Sequence, residues 1–184
     1  KKEVSRLFPM MLESIRRLRE GQPELRFVAA AASEKVARVM EEALEESGFP
    51  EGVVEIQAGQ SQVLMQSVTC GVVASGTATL EAAYYGMPYC LVYQVAWPTY
   101  VMARQLIKLP YIGLINILAG RELVPEFIQT DANAYEVAGW LGRFLRDPNL
   151  REELSQELLE AASRLGETGT HKRAAHEIAL LFSK

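Results

Sequence analysis

Aspartate and histidine are the scarce residues of this chain: of twenty-three acidic residues only Asp131 and Asp147 are aspartates, and His171 and His176 are the only histidines. With no Asp-x-Asp pair, nothing is offered to hold a divalent ion against a nucleotide diphosphate, so a metal-dependent transferase on that plan is excluded. The two histidines stand five apart on an expected helix, about 140° from each other around its axis, and do not share a metal from one face. They read as exposed helix residues near the C-terminus. Cysteine is equally sparse. Cys70 and Cys90 lie in apolar strand-like runs with no Cys-x-x-Cys, which points to small buried hydrophobes and a reducing, cytoplasmic compartment. Nineteen Lys+Arg against twenty-three Asp+Glu give a net charge of −4 and a pI near 5.4, without the basic excess that nucleic-acid binding needs. The longest uncharged run, Ala82 to Ala103, is broken by Gly86, Pro88, Gln94 and Pro98 and does not read as a membrane span. The first residues, Lys1 to Pro9, lack the apolar core of a signal peptide and run straight into a helical pattern. A Gly-x-Ser-x-Gly elbow, a Walker A loop and a Gly-x-Gly-x-x-Gly after the first strand are all missing. No self-contained catalytic set remains.

What is present is a folded chain of 184 residues, 49% hydrophobic and 23% charged, long enough to bury a full core as one domain. Val4, Leu7, Phe8, Met11, Leu12, Ile15 and Leu18 follow the helical period up to Gly21-Gln22-Pro23. A strand over Leu25 to Ala32 leads to a helix capped by Ser33 and closed by Gly48, then to a strand over Val53 to Gln57. A short helix (Ser61 to Gln66), a strand (Val68 to Ala74), a helix (Thr77 to Tyr85), a strand (Tyr89 to Val95), a helix (Pro98 to Lys108) and a strand (Tyr111 to Ile115) follow. Strands alternating with helices predict an α/β fold, a Rossmann-like doubly wound parallel sheet. Beyond it, residues 116–129 read as irregular, and C-terminal helices occupy residues 131–184. Asn133 with Glu136, and Asn149 with Glu152, have the spacing of helix caps. The expected inner stripes are Val137, Trp140, Leu141 and Phe144; then Leu150, Leu154, Leu158 and Leu165; then Ala175, Ile178, Ala179 and Phe182.

The informative stretch is Ala74-Ser75-Gly76-Thr77-Ala78-Thr79-Leu80-Glu81. A buried strand runs through a small-residue turn into a helix, and this brings backbone N–H groups and the hydroxyls of Ser75, Thr77 and Thr79 towards one another. In an open parallel sheet the turn lies outside the C-terminal ends of the strands, where such folds bind ligands. Glu81, one turn after Thr77, is placed to accept hydrogen bonds from a diol such as a ribose. The same residues also serve helix packing and the helix dipole, and the pattern alone leaves both readings open. Asn116, Ala119-Gly120-Arg121-Glu122 and Pro125-Glu126 follow the expected strand at Tyr111 to Ile115. They are expected at the same edge, completing a nucleotide or sugar-phosphate cleft.

These residues, with Gly86-Met87-Pro88, Leu109-Pro110-Tyr111-Ile112 and the run Asn116-Ile117-Leu118-Ala119-Gly120-Arg121-Glu122-Leu123-Val124-Pro125-Glu126, closely resemble the C-terminal half of lipid-A-disaccharide synthases. The likeness extends from Glu3 to Arg173-Ala174-Ala175. The Ser-Gly-Thr…Glu element is shared loosely by many nucleotide-sugar transferases of the GT-B fold, whereas the Asn-x-Leu-Ala-Gly-Arg-Glu run is far more specific. The resemblance implies a single nucleotide-sugar-binding domain, a Rossmann-like core over residues 1–130 followed by helices, without the N-terminal acceptor domain. It implies a glycosyltransferase of Gram-negative lipid A biosynthesis, in which UDP-2,3-diacylglucosamine and 2,3-diacylglucosamine 1-phosphate give a β-1,6-linked disaccharide 1-phosphate and UDP. Carried over residue by residue, Ser75, Gly76 and Thr77 would face the diphosphate, Glu81 the ribose, and Asn116 with Arg121 the nucleotide side, with Gln129 a further contact. The general base, an Asp in the family's N-terminal domain, and a UDP-contacting Gly-Ser-Arg turn are not in this sequence, so the chain alone is expected to lack transferase activity. No cofactor or metal is implied. The alternatives are a non-catalytic nucleotide-binding or dimerisation module, and another UDP-sugar GT-B enzyme such as an epimerase or a cell-wall glycosyltransferase.

Between Ala82 and Gly120 only Arg104 and Lys108 are charged, interleaved with Trp97, Tyr100 and Tyr111. Such a patch suits peripheral contact with an anionic leaflet at the inner face of the inner membrane, or a crossover helix on the sheet with two snorkelling cations. A sheet with an open strand edge also invites exchange with a second copy, so a homodimer by strand or helix exchange is one expected outcome.

Overall fold

The computed structural model describes residues 2–106 and 110–166, together with Ala175. Its elements are α1 (Lys2–Gly21), β1 (Phe27–Ala31), α2 (Glu34–Ser47), β2 (Val54–Ala58), α3 (Ser61–Ser67), β3 (Gly71–Ala74), α4 (Ala78–Tyr84), β4 (Tyr89–Tyr93), α5 (Trp97–Leu106), α6 (Leu114–Ala119), β5 (Glu126–Ile128), α7 (Ala134–Arg146) and α8 (Pro148–Ser163). The α/β alternation read from the sequence is therefore present, and every strand pairing is parallel. No described helix is long and apolar enough to cross a membrane. His171, His176, Lys108 and the last apolar stripe apart from Ala175 lie outside the described residues, as does the side chain of Arg104.

The double winding is written into β4, whose sequence Tyr89-Cys90-Leu91-Val92 is uniformly apolar and fully buried, as a strand covered on both faces must be. Side chains alternate across a strand. Tyr89 and Leu91 join Phe144, Leu154, Leu158 and Ala162 in a cluster that includes residues of α4, α6 and α8. Cys90 and Val92 join Leu7 and Leu18 of α1 and Val137 and Leu141 of α7 in another. Burying such a Leu or Val contributes about 1.5–3 kcal/mol. A third cluster unites Phe8 and Leu12 of α1, Ala37 and Met40 of α2, and Val53 and Val54.

The sheet departs from the expectation in two respects. Its ladder is in two pieces, β1-β2 and β3-β4-β5, and among the described residues no ladder joins β1 to β3, although Phe27, Val72 and Ala74 pack against one apolar cluster. The strand expected at Tyr111 to Ile115 is instead the approach to α6, and the strand beside β4 is Glu126–Ile128, inside the stretch read as irregular. The physical reason is periodicity. Ile115 and Asn116 are buried while Leu114 and Ile117 are exposed, the two-in, two-out pattern of a helix rather than the alternation of a strand.

The caps divide the same way. The Asn133 side chain accepts from the Tyr135 and Glu136 N–H groups, both at 3.1 Å, as the spacing predicts. Asn149 is not the cap of α8. The Asp147 carboxylate accepts from Asn149 N at 3.0 Å and Leu150 N at 3.2 Å, so the cap stands two residues earlier than expected, and Pro148, with no N–H to lose, opens the helix. Ser33 occupies the N-cap position of α2 without a side-chain cap bond. Leu165, expected on the inner stripe of α8, lies past the helix end and is 46% exposed.

Candidate functional site

Two turns meet at the C-terminal end of β4. Ser75, just past β3, donates its N–H to Val92 O at 3.1 Å, and Gln129, just past β5, donates its N–H to Tyr93 O at 2.9 Å. Consecutive carbonyls of one strand thus tie the Ser75-Gly76-Thr77 turn and the Gln129 turn side by side. Gly76 holds φ +150° in open space, so backbone freedom and not crowding demands glycine there. Gly76 and Thr77 are exposed, and Ser75 is partly buried. Thr77 is the N-cap of α4 and makes no side-chain cap bond. Glu81 N donates to Thr77 O at 3.2 Å, which puts the carboxylate-bearing residue one turn into α4, partly buried.

Thr79 does not belong to the open edge. It is fully buried, its hydroxyl donates to Gly76 O at 2.7 Å, and its own carbonyl accepts the Tyr89 hydroxyl at 2.8 Å. It shapes the turn from below.

Gln129 and Gln94 form the second half of this edge. The Gln129 side chain accepts from Val95 N at 2.7 Å and donates to Val95 O at 3.1 Å. The Gln94 amide donates to Gln129 O at 3.1 Å and to Ala132 O at 2.9 Å. Gln94 was not anticipated from the sequence; the signal available was a lone amide at the end of an apolar strand.

Asn116 and Arg121 are elsewhere. Because β5 begins at Glu126, the 120–125 segment delivers the chain to the N-terminal end of the strands, and Pro125 O there accepts from Leu91 N. The expected meeting of both polar loops at one edge is corrected accordingly. Asn116 is fully buried. Its amide donates to Val124 O and Glu126 Oε1 at 2.8 and 2.9 Å, and its oxygen accepts from Leu123 N and Val124 N at 2.8 and 3.1 Å. Glu126 also accepts from Ile112 N and Gly113 N, both at 2.8 Å. A Cβ on Gly113 would stand 2.8 Å from Leu91 Cδ1 and 3.0 Å from Glu126 Oε1, so only glycine admits this approach. Asn116 and Glu126 therefore knot the entry to β5 instead of facing a cleft. Arg121 is exposed and ion-paired with Glu157 of α8 at 2.9 Å.

Burial removes the other reactive groups from consideration. It pushes the Cys70 thiol up to about 11, an effect partly opposed by Arg151, and it raises Cys90 and the Tyr89 hydroxyl further. Such thiols are poor nucleophiles. An open groove of about 710 Å³ between α1 and α7, lined in part by Arg17, Pro125, Phe127, Trp140, Arg143 and Arg146, contains none of Ser75, Gly76, Thr77, Glu81, Asn116, Arg121 and Gln129. Among the described residues no group of three or more His, Cys, Asp and Glu could hold a metal ion.

Parallel strands covered by helices on both faces, with a polar turn at their C-terminal ends, define a Rossmann-like domain of the ligand-binding α/β class. The family model described as Lipid-A-disaccharide synthetase matches residues 1–178. The chain is 35% identical over 99% of its length to the lipid-A-disaccharide synthase of Geobacter sulfurreducens, covering 47% of that protein. It is 36% identical over 96% of its length to that of Anaeromyxobacter dehalogenans strain 2CP-C, covering 45%, and 33% identical to that of a Sulfurihydrogenibium species, covering 49%. This chain belongs to the lipid-A-disaccharide synthase family. It spans just under half the length of these relatives.

Proposed function

We propose that this chain is the UDP-sugar-binding half of a glycosyltransferase that joins two acylated glucosamines in lipid A biosynthesis, taking UDP-2,3-diacylglucosamine as donor and 2,3-diacylglucosamine 1-phosphate as acceptor. The observation that carries the reading is the family match across residues 1–178, in a chain whose Ser75-Gly76-Thr77 turn stands at the C-terminal ends of parallel strands. In this reading the turn takes the diphosphate and Glu81 takes the ribose hydroxyls. An inverting transfer needs two things: a base that removes the proton of the acceptor 6-hydroxyl, and donors that stabilise UDP as it leaves. The described residues supply polar groups for the second. In this reading the domain binds and orients the donor. The same reading takes residues 1–130 as the core and α7 and α8 as helices appended to it, with homodimerisation as its oligomeric expectation; the rest of the expected C-terminal helices lies outside the described residues apart from Ala175. Trp97 and Val101, 61% and 38% exposed, stand four apart on one face of α5 and offer an apolar face to a membrane surface at the cytoplasmic leaflet.

Titration of UDP and ADP into the chain, followed by calorimetry and amide shifts, tests the reading. UDP should bind more tightly than ADP and perturb residues 75–81, and Glu81→Ala should weaken UDP by about tenfold at unchanged melting temperature, the scale of one good hydrogen-bond pair to a charged group. UDP affinity indifferent to Glu81→Ala would remove the ribose assignment.

A further inference from the structure

We infer that Gln94 and Gln129 form a positioning clamp beside the donor site, acting on the ligand through the placement of the β4 exit and the turns tied to it and not by direct contact; this rests on the donor-site reading above. Five hydrogen bonds cross between the β4–α5 and β5–α7 connections. The Gln129 amide takes both the N–H and the C=O of Val95, Gln94 takes the carbonyls of Gln129 and Ala132, and Gln129 N–H takes Tyr93 O. Each side-chain amide thus has its donor or both of its ends occupied by main chain of the opposite connection. The bonds to Val95 take one of the two amide N–H groups and one of the two oxygen lone pairs of Gln129 and fix its orientation against that backbone.

The backbone supports the same assignment. Gln129 is the one described non-glycine residue at positive φ, +54°, a conformation that side chains other than glycine adopt only under strain. The strain is local, and the side chain that incurs it is the one that fixes Val95. What the clamp fixes is the exit of β4 beside the Ser75-Gly76-Thr77 turn, since Val92 and Tyr93 hold the two turns on adjacent carbonyls. Held in place, the exit of β4 keeps the Ser75-Gly76-Thr77 turn and the Gln129 turn in fixed register on its two adjacent carbonyls, which spares the ordering cost at binding.

Substitution by glycine separates this role from a structural one, because Gln129→Gly relieves the positive φ while deleting the clamp. The expected result is a melting temperature equal to or above that of the wild type, a shifted Val95 amide resonance in the free protein, and UDP binding weakened about tenfold. Gln94→Met, which removes the second set of bonds without touching Gln129, should weaken UDP in the same direction by several-fold. The double variant should be no weaker than Gln129→Gly alone, since the two side chains act on one segment. Wild-type UDP affinity in Gln129→Gly overturns the clamp. So does weakened affinity in Gln129→Gly with none in Gln94→Met and no Val95 shift, which would make Gln129 a direct contact. A wild-type chain that binds no UDP overturns the donor-site reading and the clamp together, whereas UDP binding lost in Glu81→Ala and retained in Gln129→Gly overturns the clamp alone.

Discussion

Both ends of the β3-β4-β5 strands hold amide side chains closed upon backbone, but the exit also leaves polar groups open. At the entry to β5, Asn116 and Glu126 are closed upon backbone, with Asn116 fully buried and both ends of its amide paired. At the exit, Gly76 and Thr77 are exposed and Thr77 leaves its side chain uncommitted to the cap. The difference teaches how to separate scaffold from site in a family signature. Polar groups with every partner supplied internally hold a loop, and a buried polar group is tolerable only on those terms. Polar groups left open at a strand's C-terminal end are the ones available to a ligand. The Asn116 to Glu122 run, which carries much of the resemblance, lies at the sealed end.

The sharpest way to break this comparison is Asn116→Ala. The change strips partners from Leu123 N, Val124 N and Val124 O at a site with no solvent, and leaves Glu126 without one of its three donors. At about 1–3 kcal/mol for each unsatisfied buried group, with partial relaxation, the loss should be about 3–4 kcal/mol. Urea unfolding followed by circular dichroism measures it. A small loss in stability accompanied by a large loss of UDP affinity would instead place Asn116 in the binding site.

The sequence made much of this legible. The alternation of elements, the buried β4 run and the Ser75-Gly76-Thr77 turn are local patterns, and periodicity reports them directly. The Asn133 cap is legible for the same reason, since its partners are two and three residues away. The misassignment at residues 111–115 arose because a six-residue apolar helix and a short apolar strand look alike in composition, and it moved Arg121 to the wrong end of the sheet. The roles of Asn116, Glu126, Gln94 and Gln129 depend on partners up to thirty-eight residues away. Spacing carries no trace of such bonds.

A second, smaller effect sharpens the account of the sealed end. Cys70 immediately precedes β3, and burial raises its thiol from 9.0 to about 11. The unfolded chain releases that proton first as pH rises, so the folded state keeps its full share of stability below pH 9 and loses it between pH 9 and about 11. Cys90 and Tyr89 are raised by burial as well and act with the same sign. Urea midpoints should therefore fall steadily above pH 9, and Cys70→Ala should reduce the slope. A flat profile up to pH 11 would mean that the strand entry admits water.

The smallest expected effect is the most pointed. Arg121 stands in the run that carries much of the resemblance, and the resemblance would send it to the nucleotide. In the fold it is exposed, 56% by side chain, and paired with the 45% exposed Glu157, on the segment that leads into the N-terminal end of β5. An exposed pair of this kind contributes about 0–1 kcal/mol. Arg121→Ala should accordingly shift the unfolding midpoint by little more than experimental error and leave UDP affinity of this chain unchanged, while salt at 0.5 M should remove even the small difference in stability. A tenfold loss of UDP affinity in Arg121→Ala would show that the entry end reaches the ligand after all, and the division between a sealed end and an open one would have to be redrawn around Arg121.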